Sequence, residues 1–557
     1  MAIVTYPTHS LARIFPQGEA PARVDRFTAL KNEPFSFQLG YTAVDEPSNF
    51  YVRIKSDLPL TMYSEKYVSV VSTENSLLST HYEPGMFPDI LVKYPVNPPL
   101  VKVNYPWESF TYAAGGELEM VANCDAIRAL WFTVNEDGKT LKAGEYTIAF
   151  EFYNRKDELL GSDTVTLTLL HATLPRQTLY HTNWVHCDCL ADTYGVELWS
   201  DEFYRIFRNY ITEAARHGMN MLLTPCFTPP LDTSVGGERM TAQLVGVTRT
   251  NGEYSFDFSL LKRYLDEARA CGITSFEHCA LYSQWGAKEA PKIMATVDGK
   301  YRQLFGWNTK STGKAYTAFL DAYLPALLKF LCDEGLEHKM LFHISDEPEY
   351  KHVNEYSYAS KVMMKHLKGW MVGDPVSGFK LCEEGWMPLP ISLTIFTDRF
   401  VGKVKPLWTY YTGGQVQEGA SNRLLNNTPE RNRVIGIQMY QNDIKGFLHW
   451  AYNFYYGTMS QGIFNPLIDT NGSGSTFFVY PAINGTAIPS IRMKIFYEGI
   501  NDMRALQRLE KLRGKRFAKA LVAEFYGDNV TMKTPVESAD KLLALRAAIN
   551  DAIEAAL

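Results

Sequence analysis

Two acidic residues stand side by side directly after an apolar run, in Leu341-Phe-His-Ile-Ser-Asp346-Glu347-Pro348. Adjacent carboxylates repel, so one of them holds its proton to higher pH than the other. The chemistry this suits is general acid catalysis beside a permanently charged partner. Against it stands the plainer reading, in which Asp346 and Glu347 open a solvated loop, two among 61 acidic residues. Pro348 restricts the backbone of Glu347 to extended conformations and so limits how its side chain is aimed. Neighbours on a regular strand face opposite sides, so both carboxylates reach one ligand only if the strand bends or ends here.

The elements that must position the pair are legible from the hydrophobic period. After residue 175 one unit recurs: an amphipathic helix, a glycine stop and a short apolar strand. The first helix follows Ser200, an N-cap residue, and aligns Phe203, Ile206, Phe207, Tyr210, Ile211 and Ala214 before Gly218. Met219–Leu223 follows as a strand. A second helix with Leu261, Tyr264, Leu265 and Ala268 stops at Gly272 and leads into Ile273–His278. A third, with Phe319, Tyr323, Leu327 and Phe330, stops at Gly335 before Lys339–Ile344. Pro406–Tyr411 and Gly446–Tyr452 read as two more strands, the latter preceded by a helix over Glu430–Gln441. Helix alternating with strand implies parallel strands and an α/β fold, and the length favours a (β/α)8 barrel over an open sheet. In either, ligands sit at the carboxyl ends of the strands. Those ends are rich in polar and aromatic groups: Asn183-Trp184-Val-His186, Thr224-Pro225, Glu277-His278, Ser345-Asp346-Glu347, Thr409-Tyr410-Tyr411 and His449-Trp450-Ala-Tyr452-Asn453.

Before residue 175 the period is two, as in Tyr146–Tyr153 and Thr164–Leu170, with turn signals at Glu136-Asp-Gly138 and Leu160-Gly-Ser-Asp163. An antiparallel β-sandwich is expected there. The chain thus divides into a sandwich over 1–175, a barrel-type catalytic domain over 176–510 and a helical extension over 511–557. The extension carries Leu506, Leu509 and Leu512 at its approach, then Leu542, Leu545 and Ile549, and packs on the barrel or, alternatively, forms a dimer contact.

At 557 residues, 46% hydrophobic and 21% charged, the chain is neither disordered nor fibrous. A net charge of -6 without a basic cluster argues against a nucleic-acid partner. Met1–Pro7 lacks a basic region followed by an apolar run, and no apolar stretch of about 18 residues occurs, so the expectation is a cytoplasmic protein with no membrane partner. The eight cysteines then read as reduced thiols. His181 with His186-Cys187-Asp188-Cys189 lacks the paired C-x-x-C spacing of structural zinc sites, and neither metal nor cofactor is assigned.

Glycosidases usually set two carboxylates on opposite sides of the scissile bond, about 5 to 5.5 Å apart when retaining and about 6.5 to 9.5 Å when inverting. Consecutive residues suit that arrangement poorly. They suit the exception, in which the oxygen of the sugar's own 2-acetamido group attacks the anomeric carbon, one carboxylate steadies that group and the other protonates the leaving oxygen.

His343-Ile-Ser-Asp-Glu-Pro348 resembles the catalytic strand of glycoside hydrolase family 123, the exo-acting β-N-acetylgalactosaminidases. The stretch from Tyr480-Pro-Ala-Ile-Asn-Gly through Ser490-Ile-Arg492 to Asp502 looks like that family's C-terminal signature, and Gly446–Asn453 is similar to one of its last strands. The likeness covers most of residues 180–510. It implies that Glu347 is the general acid/base, that Asp346 orients the 2-acetamido group, and that the reaction passes through an oxazolinium-like intermediate with retention. The implied partner is an oligosaccharide or glycoconjugate with a terminal β-linked N-acetylgalactosamine.

Trp184, Trp285, Tyr410, Tyr411 and Trp450 are candidates to wall the sugar, although each could equally be core. His186, Asp188, His278 and Asn453 are candidates to bond its hydroxyls, as are Asp232 and Arg239 of the loop Thr228–Arg239. Arg492 reads as a structural partner of Glu498 or Asp502. Two other readings stay open: a glycosidase pairing Glu347 with a distant carboxylate such as Glu277 or Asp398, and a glycan-binding protein without catalysis.

Overall fold

The computed structural model describes residues 2–70, 85–94, 111–112, 118–415, 419–468 and 474–557. By internal contacts the chain forms two compact units. One comprises Met1–Gln177, Gly413–Asn442 and Asn465–Leu557, the other Thr178–Thr412 and Asp443–Phe464.

The second unit is built on eight short parallel strands: β1 (Tyr180–Asn183), β2 (Met221–Thr224), β3 (Ser275–His278), β4 (Met340–Phe342), β5 (Met371–Val376), β6 (Leu389–Leu393), β7 (Trp408–Tyr410) and β8 (Gly446–His449). From β2 to β8 each strand pairs with the next in the chain, and β8 pairs with β1. Between β1 and β2 the Asn220 side chain bridges the gap. It accepts the His181 N–H at 2.9 Å and donates to Leu179 O at 2.9 Å, while its own N–H meets His181 O at 3.1 Å. The sheet is therefore nearly closed, and strands buried on both faces explain the apolar runs.

Helices α1 (Cys187–Tyr194), α2 (Asp201–Arg216), α3 (Ser259–Ala270), α4 (Lys314–Asp333) and α5 (Val353–Met364) form the early crossovers. Ser200 caps α2 by accepting the Phe203 N–H, as its sequence position predicts. Of the described helices, α4 alone is long and apolar enough to cross a membrane. One face of it, with Phe319, Leu320, Tyr323, Leu324 and Leu327, is fully buried in the unit. The regular repeat then lapses: α6 (Lys380–Glu383) is four residues long, and a 3-10 segment, Thr394–Arg399, stands between β6 and β7. Two hairpins, Gly246–Asp257 and Ile293–Phe305, enlarge the loops after β2 and β3 and join in one four-stranded sheet. The architecture is thus mixed α/β around a barrel-like parallel sheet, without eight equivalent β/α units.

The first unit contains the expected sandwich. Five strands, ordered Ala2–His9, Phe35–Val44, Arg128–Val134, Leu60–Val70 and Gly85–Lys93, form one sheet. Six form the other, with Arg26–Leu30, Leu159–Leu170, Gly144–Tyr153 and Ser48–Lys55 at its start. Pairing is antiparallel except between Arg26–Leu30 and Leu159–Leu170. Inward residues of both sheets share one core, in which the Phe132 and Phe150 rings lie 4.9 Å apart. One turn differs from the sequence reading: Leu160–Asp163 lies inside a strand, and the chain reverses earlier, where Asp157 takes φ 58°. Gly161 is needed for close approach, since a Cβ there would stand 2.5 Å from Ile3 O.

The same unit contains α7 (Pro429–Arg433), α8 (Ile435–Gln441), α9 (Ile491–Arg513), α10 (Lys515–Tyr526) and α11 (Ala539–Glu554). The sequence reading assigns residues up to 510 to the barrel domain and packs 511–557 on it. A buried ionic chain accounts for the different grouping. Arg433 bonds Glu498 at 2.7 Å and Asp502 at 2.8 Å; Arg546 bonds Asp502 at 2.8 Å and Glu33 at 2.6 Å. Arg492 does not pair with Glu498 or Asp502 but with Asp89, at 2.9 Å.

Candidate active site

The segment after β4 carries Asp346 and Glu347, and it is fixed rung by rung to the segment after β3. The Leu281, Tyr282 and Trp285 N–H groups donate to His343 O, Ile344 O and Asp346 O at 3.3, 2.9 and 2.7 Å, and the Ser345 hydroxyl donates to Ser283 O at 2.7 Å. On the other flank, the Asp374 carboxylate of β5 accepts the Ile344 and Ser345 N–H groups at 3.0 and 3.2 Å and the Tyr356 hydroxyl at 2.8 Å.

Glu347 has φ 44°, in the left-handed region that non-glycine residues rarely adopt. The extended conformation expected before Pro348 is not taken, because the flanking bonds over-determine the backbone there. This bend meets the geometric requirement stated from sequence, and both carboxylates line one cavity.

That cavity has a volume of about 140 Å3 and is walled by Trp184, Trp285, Tyr410 and Trp450, with Asp232 and Gln284 at its edge. Tyr410 donates its hydroxyl to Glu347 Oε1 at 2.5 Å. Burial is the main reason that the Asp346 carboxyl is pushed well above the usual range, and the charges of Glu347 and Asp374 add to it, against the opposing His343.

Beneath the cavity lies a buried charge-paired layer. Glu277, fully buried, accepts from Thr182 Oγ1, from the Trp184 indole at 2.9 Å and from His343 Nε2 at 2.9 Å. His343 Nδ1 faces Asp374 Oδ1 at 3.4 Å. Burial alone favours a neutral imidazole, but the hydrogen bonds and charges of Asp374 and Glu277 prevail and raise His343 to about 10. A cation held between two carboxylates thus underlies the pair.

Of the residues expected at the site, Trp184, Asp232, Trp285, Tyr410, Trp450, Asp346 and Glu347 come together. The others are engaged elsewhere in the unit. Arg239 forms a two-pronged bond to Asp188 (2.5 and 3.1 Å) and donates to His186 Nδ1 at 2.8 Å, while His186 Nε2 meets Trp450 O at 2.9 Å. Burial and the Arg239 charge lower His186 to about 4, so it is neutral. Asn453 brackets the His186 backbone, accepting its N–H at 2.9 Å and donating to its O at 3.2 Å. His278 bonds Tyr323 and the Cys279 carbonyl, and Tyr411 is buried against Phe447 and His449. Among the described residues no group of His, Cys, Asp and Glu is arranged to hold a metal. The eight cysteines form no disulfide.

Gln284 and Thr412 at the wall escaped the sequence reading. Gln284 is the anchor of the loop carrying Asp232, accepting its N–H at 2.8 Å and donating to Thr233 O at 2.8 Å. Its place directly before Trp285 was the one available signal.

A sequence model of the glycoside hydrolase 123 catalytic domain matches residues 184–509. No curated protein matches the chain. Among solved structures, a family 123 glycoside hydrolase from Clostridium perfringens, studied for the details of glycolipid glycan hydrolysis, superposes with a TM-score of 0.71 at 12% identity. The match covers 100% of this chain and 98% of that one. The β-glucuronidase 3 of Bacteroides uniformis matches at 10% identity over 85% of this chain and 50% of its own, with a TM-score of 0.30 that carries no argument.

Proposed function

The chain belongs to glycoside hydrolase family 123, and from that premise we propose that it is a retaining, exo-acting β-N-acetylgalactosaminidase that works by substrate assistance. The observation that carries the reading is the convergence of two consecutive carboxylates on one small cavity, made possible by the left-handed backbone of Glu347.

In the proposed mechanism the acetamido carbonyl oxygen attacks the anomeric carbon as the glycosidic C–O bond breaks. Glu347 gives its proton to the leaving oxygen, and Asp346 accepts the acetamido N–H and balances the charge of the oxazolinium ring. Water then adds to the anomeric carbon, loses its proton to Glu347, and the ring opens with net retention. Tyr410 steadies Glu347 through its hydroxyl, and Trp184, Trp285 and Trp450 offer apolar walls to the sugar and its acetamido methyl. A cavity of about 140 Å3 is small beside the roughly 300 to 1,000 Å3 of drug-sized sites, which supports capture of one terminal sugar. Glu277 is engaged by three donors below the cavity, which gives no support to its acting as a distant second carboxylate. A pool of thiols without disulfides suits a reducing, cytoplasmic compartment.

Chromogenic β-N-acetylgalactosaminide, β-N-acetylglucosaminide and β-galactoside substrates test the proposal side by side. The first is expected to be the best, the plain galactoside to be inert, and Glu347→Gln to lower kcat/KM by about 10²- to 10⁴-fold. Inertness towards both acetamido sugars, or preferred cleavage of the galactoside, overturns it.

A further inference from the structure

A single carboxylate oxygen joins the aromatic wall of the Asp346–Glu347 cavity to the segment that carries the pair. Glu277 Oε2 accepts from the Trp184 indole N–H and from His343 Nε2, each at 2.9 Å. Trp184 walls the cavity, and His343 roots the segment, three residues before Asp346. The Trp184 and His343 rings also meet edge to face, with centroids 5.7 Å apart. Glu277 Oε1 accepts the Thr182 hydroxyl, and Thr182 and Trp184, two residues apart, lie on the same face of their strand. These bonds cross the barrel-like sheet near its gap, since β1 and β2 are the two ends of the strand order. On the β8 side the Trp184 backbone is bracketed, its N–H on His449 O and its O on the Tyr452 N–H, both at 2.9 Å. That fixes the main chain but not the side-chain torsions, which the Glu277 bond and the His343 ring settle. A buried ion pair is weak evidence of stabilisation, because apolar residues of like volume often serve as well. The carboxylate is better explained by the aim it gives to the groups it holds.

We propose that Glu277 is a positioning residue of the hydrolysis: without touching substrate, it holds Trp184 and His343 on one oxygen and so sets the spacing between the wall and the Asp346–Glu347 pair. The inference rests on the proposed reaction, in which the acetamido oxygen must be aimed at the anomeric carbon. A slack wall leaves the sugar bound but misaligned. Misplacement on the order of 1 Å costs about 10²-fold in rate. The loss falls on kcat rather than KM, because ground-state binding is largely kept. A purely structural Glu277 would instead cost stability and leave kcat per folded molecule as it was.

Steady-state kinetics of the full chain on a chromogenic β-N-acetylgalactosaminide, with kcat expressed per folded molecule, test this. Glu277→Met is expected to lower kcat by about 10²-fold with KM nearly unchanged. In Glu277→Gln the amide oxygen can still accept from Trp184 and His343 while the NH2 group donates to Thr182, so kcat is expected to recover to within about tenfold of wild type. Replacing Trp184 by benzothienylalanine, which keeps the ring shape and lacks the N–H, is expected to lower kcat by itself and to add little to the loss in Glu277→Met, since both changes break one contact. The isostere also decides the matter should Glu277→Met fail to fold. Unchanged kcat with the isostere, no recovery in Glu277→Gln, or losses that simply add overturns the proposal while the hydrolytic function stands. A wild type inert on every acetamido sugar overturns that function, and this inference with it.

Discussion

Asp346 presents a tension that the proposed roles must resolve. To accept an acetamido N–H it must be a carboxylate, whereas burial and the neighbouring Glu347 charge hold its proton on. The proton therefore has to leave Asp346 when the acetamido group arrives, and Glu347, which then needs a proton to give away, is the adjacent base. Substrate binding and arming of the acid become one event. Glu347→Gln deletes the neighbouring charge but not the burial, so the Asp346 titration midpoint should fall from its wild-type position and stay above the ordinary aspartate range. Carbon-13 NMR of labelled aspartates across pH measures this, and an unchanged midpoint means the two carboxyls are not coupled. Asp346→Asn keeps the shape but not the charge, and should cost about 10²- to 10³-fold in kcat with acetamido substrates, the scale of losing one oriented electrostatic contact.

At the scale of elements, the strands flanking the pair matter as much as the pair. Asp374 on β5 accepts the Ile344 and Ser345 N–H groups, in the segment that carries Asp346 and Glu347, and faces His343. Asp374→Asn leaves His343 charged beside one carboxylate, and breaking a buried pair in this way costs about 3 to 5 kcal/mol. The raised His343 value makes the effect pH-dependent: its stabilisation is complete below about 6.5 and is lost as pH rises through about 10. Urea midpoints across that window should therefore decline in the wild type and decline less in the variant. Glu65, on the sandwich strand Leu60–Val70, is buried with neither carboxyl oxygen hydrogen-bonded, and burial pushes it up to about 8. The folded state keeps this proton while the unfolded chain loses it at about 4.5, so stability falls by roughly 1.4 kcal/mol per pH unit between those values. Glu65→Gln should flatten that slope in denaturation curves. Glu65 sits in a strand whose alternation gives no warning of an inward acid, and β5 was equally hard to read. Asp374-Pro375 inside it resembles a turn, yet the strand is central, and Gly373 is there because a Cβ would meet Leu389 O at 1.9 Å. By contrast α2, β2, β3, β4 and β8 followed directly from period, cap and glycine stop, since in those segments local preference and burial agree.

For the whole molecule, what was legible was whatever local pattern determines: a two-residue period before residue 175, helix–strand alternation after it, and Asp346-Glu347 at a strand end. What was not legible was long-range pairing. His186, Asp188 and Arg239 have the chemistry of sugar ligands, and only their spatial closure onto one another reveals them as satisfied. The tail is the larger case. Its apolar stripe says that α11 packs on something, but not that Arg546 reaches Glu33 across 513 residues of sequence. Removing residues 515–557 strips Arg546 from Glu33 and Asp502, leaving one buried carboxylate without its cation and the other with Arg433 alone. An uncompensated buried charge costs several kcal/mol, comparable with the total stability of a domain. Hydrogen exchange in the truncated chain should consequently accelerate across residues 26–36 and 491–513, whereas peptides of β2, β3 and β4 keep their protection. If the barrel strands lose protection first instead, the tail supports the second unit, and the ionic chain through Asp502 is not what holds it in the first.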